Sequence, residues 1–401
     1  MRLIFEQHDC EAVLLVDASN AFNILNRKAA LHNIKIKCPS FRMYVENSYR
    51  NPSDLYIVNN KAQRGDTILQ STEGTTQGDP VAMAMYAIGL SVLEQEIKFE
   101  TTGVKQVAYA DDLTGAGKVE CIKKWWDLVT SRGPQIGYHP NASKSFLIVK
   151  PEHYERALEV FGGSEVKITK DGQRHLGAVI GTTDFKTEYV AGKVNEWVSE
   201  IQVLSEIANT EPHAAFAAFA HGVKHRWNYL MRTIPDIGPL LHPLEEAISI
   251  KFIPKLVKHP DLTPAERALL ALPPRLGGMG LTNPEVIAAT EHQNSLKLTA
   301  TLTDHIIAQN ATGEVDTSEV NKIRRSITTD RQHCQNDNLQ HLLLQFPENL
   351  KKKVAVAQEV GASNWLTTLP IRANGFSLNK QEFTDAIVLR YGWPVEGLPS
   401  Q

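Results

Sequence analysis

Two short stretches carry carboxylates that could do chemistry. In "EAVLLVDASNAFN" an apolar run ends in Asp17, and in "QVAYADDLTGAG" Asp111 and Asp112 stand side by side between apolar runs. A short continuous apolar run bounded by turn residues is the pattern of a strand buried on both faces, so Asp17 is expected at a strand end, bordering a cleft. The second stretch reads as a β-hairpin in which "VAYA" enters, Asp111 and Asp112 make the turn and "LTGAG" leaves. Neither signal is specific alone. An aspartate after a strand can cap a turn or the helix expected near Asn20, and aspartates at turns commonly bond nearby amides. A strand ending in Asp17 beside a hairpin ending in acids would, however, gather carboxylates within a few ångströms. Such a cluster raises its own pKa values unless a cation is present. Oxygen-only ligands suit Mg²⁺, which is held by one or two carboxylates plus substrate phosphates, and two such ions roughly 3.5 to 4 Å apart clamp an in-line phosphoryl transfer.

Other stretches add groups of a matching kind. In "STEGTTQGDPVAMAMYAIG", Asp79 is a good N-cap and Pro80 a favoured first residue for an apolar helix, which forces Gln77 and Gly78 into a tight loop. Gly78 either lets a ligand or strand approach the backbone or serves turn geometry alone, while Gln77 offers an amide that can read a nucleotide or a template base. In "GYHPNASKSFLIVK", Lys144 opens a strand after a turn. There an ammonium could reach a polyphosphate or protonate leaving pyrophosphate, or be an ordinary surface lysine. "HGVKHRWNYLMR" sets His221, His225 and Tyr229 along one helical stripe with Lys224, Arg226 and Arg232 nearby, which suits phosphate contact or, equally, an amphipathic helix with solvated bases. His221 and His225 have metal-ligand spacing, but no third ligand accompanies them.

A scaffold must position these groups. A chain of 401 residues has room for two or three domains, and its 42% hydrophobic content, 22% charged content and net charge of -3 describe an ordinary folded protein. That charge balance argues neither for nor against a nucleic-acid partner. Residues 1–183 alternate β-rich and helical runs, the pattern of an α+β domain: "AVLLV", "DTILQS", the apolar helix from Pro80, the hairpin, the amphipathic "VECIKKWWDLVTSRG", then "SKSFLIV" and "HLGAVIG" as strands. Residues 184–284 read as helices, and "EYVAGKVNEWVSEIQVLSEIA" keeps Val190, Val194, Trp197, Val198, Ile201 and Leu204 on one face. "LPPRLGGMGLTNP" reads as a loop crossing back between domains, and residues 285–401 as a further helical region, poorly patterned near "ATGEVDTSEVNK". The longest apolar run, residues 81–93, is shorter than the roughly 20 residues that span a bilayer, so no membrane partner is expected. The N-terminus shows no export signal, and four scattered cysteines form no CxxC pair, which points to an intracellular protein of nucleus or cytoplasm.

In their order and spacing, these stretches resemble the palm of reverse transcriptases from retroelements, particularly those of non-LTR, non-retroviral type. "VDASNAFN" is similar to the family's first palm motif, "TTQGDP" to its Gln-Gly motif, "YADD" to its aromatic-x-Asp-Asp motif, "NASKS" to its lysine motif and "HLGAVIG" to its primer-grip hairpin. The resemblance implies a polymerase palm, an antiparallel sheet with packed helices, over residues 1–183, a helical thumb over 184–284 and a C-terminal helical region over 285–401. It implies an RNA-directed DNA polymerase of a retrotransposon that adds dNTPs to a DNA or RNA primer on an RNA template, using two Mg²⁺ ions, with Mn²⁺ as the alternative. Asp17 and Asp111 would ligate the ions, Asp112 would contribute less directly, and the Ala18 carbonyl would be a further ligand. Phe22 falls at the family's steric-gate position, where its ring would crowd a ribose 2′-hydroxyl. Gln77 and Gly78 would line the nucleotide and template site, and Lys144 would serve the triphosphate. His175, Leu176 and Gly177 would hold the primer end, and Lys224 and Arg226 would meet the primer–template backbone. Asn23 departs from the pattern, standing where many relatives carry an acid that is not a metal ligand. The family's basic fingers precede its first motif, and the short segment before Asp17 leaves no room for them, so this chain is expected to lack fingers and to be a piece of a larger element polyprotein. Two other readings stay open: an inactive remnant or domesticated nucleic-acid-binding protein with the same palm, and a palm-fold nucleotide cyclase, which would need neither the Gln-Gly loop nor a thumb.

Overall fold

A computed structural model describes residues 1–57, 67–259, 261–310 and 315–394. Asp66 of the expected "DTILQS" strand, residues 311–314 of "ATGEVDTSEVNK" and the residues from 395 onward lie outside the described residues. The chain divides into two compact units, Met1–Phe185 with Thr303–Gly313, and Lys186–Leu302 with Glu314–Gln401.

The first unit is α+β. Its strands are β1 (Ala12–Ala18), β2 (Ser53–Ile57), β3 (Thr67–Ser71), β4 (Val104–Tyr109), β5 (Asp112–Gly117), β6 (Pro140–Val149), β7 (Lys167–Thr169), β8 (Gly172–His175) and β9 (Ala178–Gly181). Its helices are α1 (Arg2–Phe5), α2 (Ala21–Ile24), α3 (Arg27–Lys37), α4 (Pro39–Tyr49), α5 (Ala82–Glu100), α6 (Val119–Arg132) and α7 (Tyr154–Phe161). Five strands form one sheet in the order β4-β5-β1-β6-β7, and β2–β3 and β8–β9 are separate two-stranded ribbons. The sheet is mixed, which corrects the expectation of an antiparallel one: β7 runs parallel to β6, with Phe146 opposite Lys167. A parallel neighbour needs a crossover, and α7, lying between the two strands in sequence, supplies it.

The apolar run of β1 follows from its central place. Ala12, Leu14 and Val16 face a large core with Ile34 of α3, Val45 of α4, Met85 and Leu90 of α5, and Ile122 and Trp125 of α6. Val13 points the other way, into a smaller core with Ile4, Ala116, Ile148 and Ile180. Alternate side chains of a strand leave opposite faces, so a strand covered on both sides must be apolar throughout. The second core is closed by Ile306 and Ile307 from the Thr303–Gly313 segment. The same segment covers the sheet edge: the Gln309 side-chain amide accepts from the Gln106 N–H at 3.0 Å and donates to the Gln106 carbonyl at 3.1 Å, doing for β4 what a neighbouring strand would.

The second unit is helical and begins within α8 (Thr183–Ala208), whose buried Val190, Val194, Trp197, Ile201 and Leu204 match the expected apolar face. "LPPRLGGMGLTNP" stays inside this unit and does not cross between domains. Arg390 donates to the Gly278 carbonyl at 3.2 Å and Tyr391 to the Gly277 carbonyl at 3.0 Å, holding that loop to the helix Lys380–Tyr391. Among the described residues no helix is long and apolar enough to cross a membrane.

Candidate functional site

Asp17 sits half-buried at the end of β1, where the β1–β6 ladder is irregular: Leu15 faces Phe146, but Asp17 faces Asn141. In place of a regular ladder bond, the Asp17 N–H donates to the Ser145 hydroxyl at 3.2 Å, and that hydroxyl donates to the Asn141 carbonyl at 2.7 Å. Ser145 is fully buried, and the chain bulges beside it with Lys144 exposed to solvent. Bulges re-aim side chains at the ends of ladders. Lys144 forms no ion pair among the described residues.

On the other side β1 pairs with β5, Val16 facing Leu113, so the next step along the ladder carries Asp17 toward Asp112. The β4–β5 turn differs from expectation by one residue. Tyr109 pairs with Asp112, which leaves Ala110 and Asp111 as the turn residues and makes Asp112 the first residue of β5. Ala110 has φ of 58°, in the left-handed region that costs a residue with a Cβ about 1 kcal/mol or more. Behind the turn the buried Tyr138 hydroxyl donates to the Asp111 carbonyl at 3.2 Å.

The acids sense one another. The Asp112 carboxyl is pushed above the usual carboxylate range, by partial withdrawal from water first and then by the negative charges of Asp111 and Asp17. The Tyr138 phenol is pushed well above its usual range, chiefly by burial, with Tyr86 and all three acids adding to it, so it remains a donor. Among the described residues no lysine, arginine or histidine forms an ion pair with Asp17, Asp111 or Asp112. This oxygen-only donor set, negative and without an ion-pair partner among the described residues, fits a hard divalent cation. No group of three His, Cys, Asp or Glu side chains converges tightly enough to hold a metal among the described residues, so the fit rests on one or two carboxylates with the remaining ligands from outside the chain.

Phe22 lies half-buried in the single-turn α2, whose N-cap Asn20 makes no side-chain capping bond. Its ring packs on Tyr86 of α5 with centroids 4.6 Å apart. Tyr86 is fully buried, its hydroxyl has no hydrogen-bond partner among the described residues, and burial followed by the Asp111 charge pushes its phenol upward. The Phe22 carbonyl accepts from the Thr75 N–H at 2.6 Å, which ties α2 to the Gln77–Gly78 loop. In that loop the Asp79 N–H returns to the Thr76 carbonyl at 3.1 Å, and Gly78, third in this four-residue turn, has φ of 93°. A type II turn requires that φ at that position. A Cβ at Gly78 would meet nothing within 4 Å, so conformation, not crowding, calls for glycine in the chain as it stands. Gln77 is exposed and makes no side-chain hydrogen bond among the described residues. Asp79 caps this turn, its Oδ1 accepting from the Val81 N–H at 2.9 Å, and α5 begins at Ala82, two residues beyond the expected Pro80.

His175, Leu176 and Gly177 form the tip of the β8–β9 hairpin, with His175 paired to Ala178 and both Leu176 (φ 48°) and Gly177 (φ 81°) left-handed. "HLGAVIG" thus holds the end of β8, the tip and the strand β9, so it forms one side and the turn of a hairpin. Burial lowers the His175 pKa to about 4, so its ring is neutral at physiological pH. Lys224 and Arg226 belong to the second unit. The helical stripe expected there is broken: Gly222 interrupts the backbone between the helix Pro212–His221, the 3₁₀ turn Val223–His225 and the helix Asn228–Thr233. Arg226 pairs with Glu200 at 2.9 Å and Arg232 with Glu291 at 3.2 Å, while Lys224 has no ion-pair partner among the described residues and burial lowers its pKa. The residues the motifs did not single out are Ser145, Tyr138, Tyr86 and Tyr49. Ser145 closes the "NASKS" stretch itself and the others lie outside the short motifs, and only three-dimensional contacts mark them.

No protein-family profile matches this chain, and no curated protein does. Among solved structures the chain is similar to telomerase from Candida albicans in complex with the TWJ fragment of telomeric RNA, at 9% sequence identity and a TM-score of 0.34, over 80% of this chain and 52% of that one. The chain spans about half the length of that structure. Neither family nor chemistry follows from a likeness at that level.

Proposed function

We propose that the first unit is the palm of an RNA-directed DNA polymerase of retroelement type, and that it extends a primer with dNTPs on an RNA template. The observation that carries this reading is the pairing of β1 with the β4–β5 hairpin, which sets the strand-end Asp17 beside a tip bearing Asp111 with Asp112 next to it, Asp112 being raised by burial first and then by the charges of both others. In the reaction the primer 3′-oxygen bonds to the α-phosphorus of the nucleotide as pyrophosphate leaves. Asp17 and Asp111, with the Ala18 carbonyl, would hold Mg²⁺ or Mn²⁺, which when bound supplies charge neutralisation for the phosphates and the attacking oxygen. Asp112 adds negative field from the first position of β5. Phe22 crowds the 2′ position of the sugar, and because its ring rests on the buried Tyr86 it has a solid backing against displacement. Gln77 and Gly78 line the nucleotide, Lys144 meets the triphosphate, and the Leu176–Gly177 tip carries the primer end.

Primer extension on poly-rA/oligo-dT with the purified chain tests this. Incorporation of dTMP should require Mg²⁺ or Mn²⁺ and fall on the order of a hundredfold or more in Asp111→Asn and in Asp17→Asn. A chain that incorporates nothing, or one whose Asp111→Asn variant matches it, overturns the reading.

A further inference from the structure

Outside the carboxylate site, a second polar arrangement in the first unit surrounds Tyr49, the last residue of α4. Its side chain is 3% exposed. Its hydroxyl donates to Asp79 Oδ2 at 2.5 Å and accepts from the Thr76 N–H at 3.3 Å. Thr76 and Asp79 are the first and last residues of the turn whose centre is Gln77–Gly78. One phenol oxygen therefore ties both ends of the turn to α4, while the turn's own Asp79-to-Thr76 backbone bond closes it. The ring is fixed in its turn by the Arg27 guanidinium, 5.4 Å from its centroid. The amide of Gln77, exposed and unbonded among the described residues, belongs to a turn tied down at both ends.

We infer that Tyr49 is the positioning residue for the Gln77–Gly78 turn, holding the Gln77 amide where an incoming deoxynucleoside triphosphate meets it. The inference rests on the polymerase reading above. A hydroxyl that only filled the core would need one partner, and that partner could lie anywhere in the core; this one bonds the two flanks of a single exposed dipeptide. Burial and the Asp79 carboxylate push the phenol above its usual range, which keeps it protonated and donating.

Tyr49→Phe tests it, because the ring, its packing and its contact with Arg27 survive while both bonds to the turn are lost. In steady-state primer extension with dTTP varied, KM for the nucleotide should rise roughly tenfold with kcat within about twofold, the mark of a lost ground-state positioning contact. Hydrogen exchange at the Thr76 and Asp79 amides should quicken in the same variant. Tyr44→Phe, at an exposed position on the same helix, should match the parent chain. If the parent chain extends the primer and Tyr49→Phe leaves KM unchanged, or lowers kcat alone, the positioning role is refuted and the polymerase reading stands. If the parent chain extends nothing, the polymerase reading falls and takes this role with it, whatever the exchange rates show.

Discussion

Replacing Arg27 by methionine should cost the first unit about 3 kcal/mol. Arg27 is 5% exposed, and its guanidinium donates to the Gly74 carbonyl at 3.1 Å, the Ser71 carbonyl at 3.0 Å, the Glu73 carbonyl at 2.9 Å and the Ser71 hydroxyl at 3.2 Å. At about 1 kcal/mol net per bond these contribute about 4 kcal/mol, and the contact with the Tyr49 ring adds roughly 0.5. Two effects reduce the sum. Ser71 and Glu73 lie near the surface, where water replaces part of what they lose, and methionine spares the chain the burial of a charge, a cost visible in the lowered pKa of Arg27. The chain has two units, so a single unfolding midpoint is ambiguous. Native-state hydrogen exchange at the amides of β1 and α5 reads the opening of the first unit itself and should report the loss. Arg27→Lys should cost about half as much, because an ammonium cannot reach this fan of acceptors in a plane. A loss under about 1 kcal/mol for Arg27→Met would refute the reasoning, since the segment before Gln77 would then be held by something other than this side chain.

Two further outcomes concern the β8–β9 hairpin. Leu176→Asn should slow exchange of the Ala178 amide by the equivalent of about 1 kcal/mol, because asparagine tolerates the φ of 48° that leucine holds at a cost; unchanged or faster exchange would contradict this. Burial depresses the His175 pKa from 6.5 to about 4, so as pH falls the unfolded chain takes up this proton before the folded one does. The stability from this group is therefore complete above about pH 6.5 and drains away between about 6.5 and about 4, and a ring titration by NMR with a midpoint near 6.5 instead of near 4 would rule it out.

Much of the scaffold was legible because its signals are local. The apolar run of β1, the amphipathic α6 and the single face of α8 each follow from periodicity, and each lies where periodicity puts it. The failures have local causes too. Turn chemistry favours paired aspartates, so nothing in "YADD" betrays that Ala110 takes the left-handed turn position and Asp112 opens a strand. The three-residue β7 is too short to show any pattern, and with it the parallel pair was hidden. Gly222 was weak punctuation inside a good helical sequence, yet there the helix stops. What no periodicity encodes is contact across the chain: Gln309 closing the edge of β4, Ser145 bonding Asp17, and Tyr49 gripping the turn at Thr76 and Asp79.

Backbone strain adds a separate line of argument. Ala110 and Leu176 are both left-handed residues with a Cβ, and each sits first in a two-residue hairpin loop, where glycine would relax the Ala110 position and asparagine the Leu176 position. Such conformations cost of order 1 kcal/mol and persist only where surrounding structure imposes them. At the first tip the imposing contacts can be named: β5 is locked to β1 by antiparallel pairing, and Tyr138 holds the Asp111 carbonyl from behind. With φ positive at Ala110 and not at Asp111, a relaxed turn would place glycine at 110 and leave the Asp111 carboxylate at the tip. The strain at Ala110 is thus held by contacts around the tip, and Ala110→Gly should relieve it with the Asp111 carboxylate kept in place.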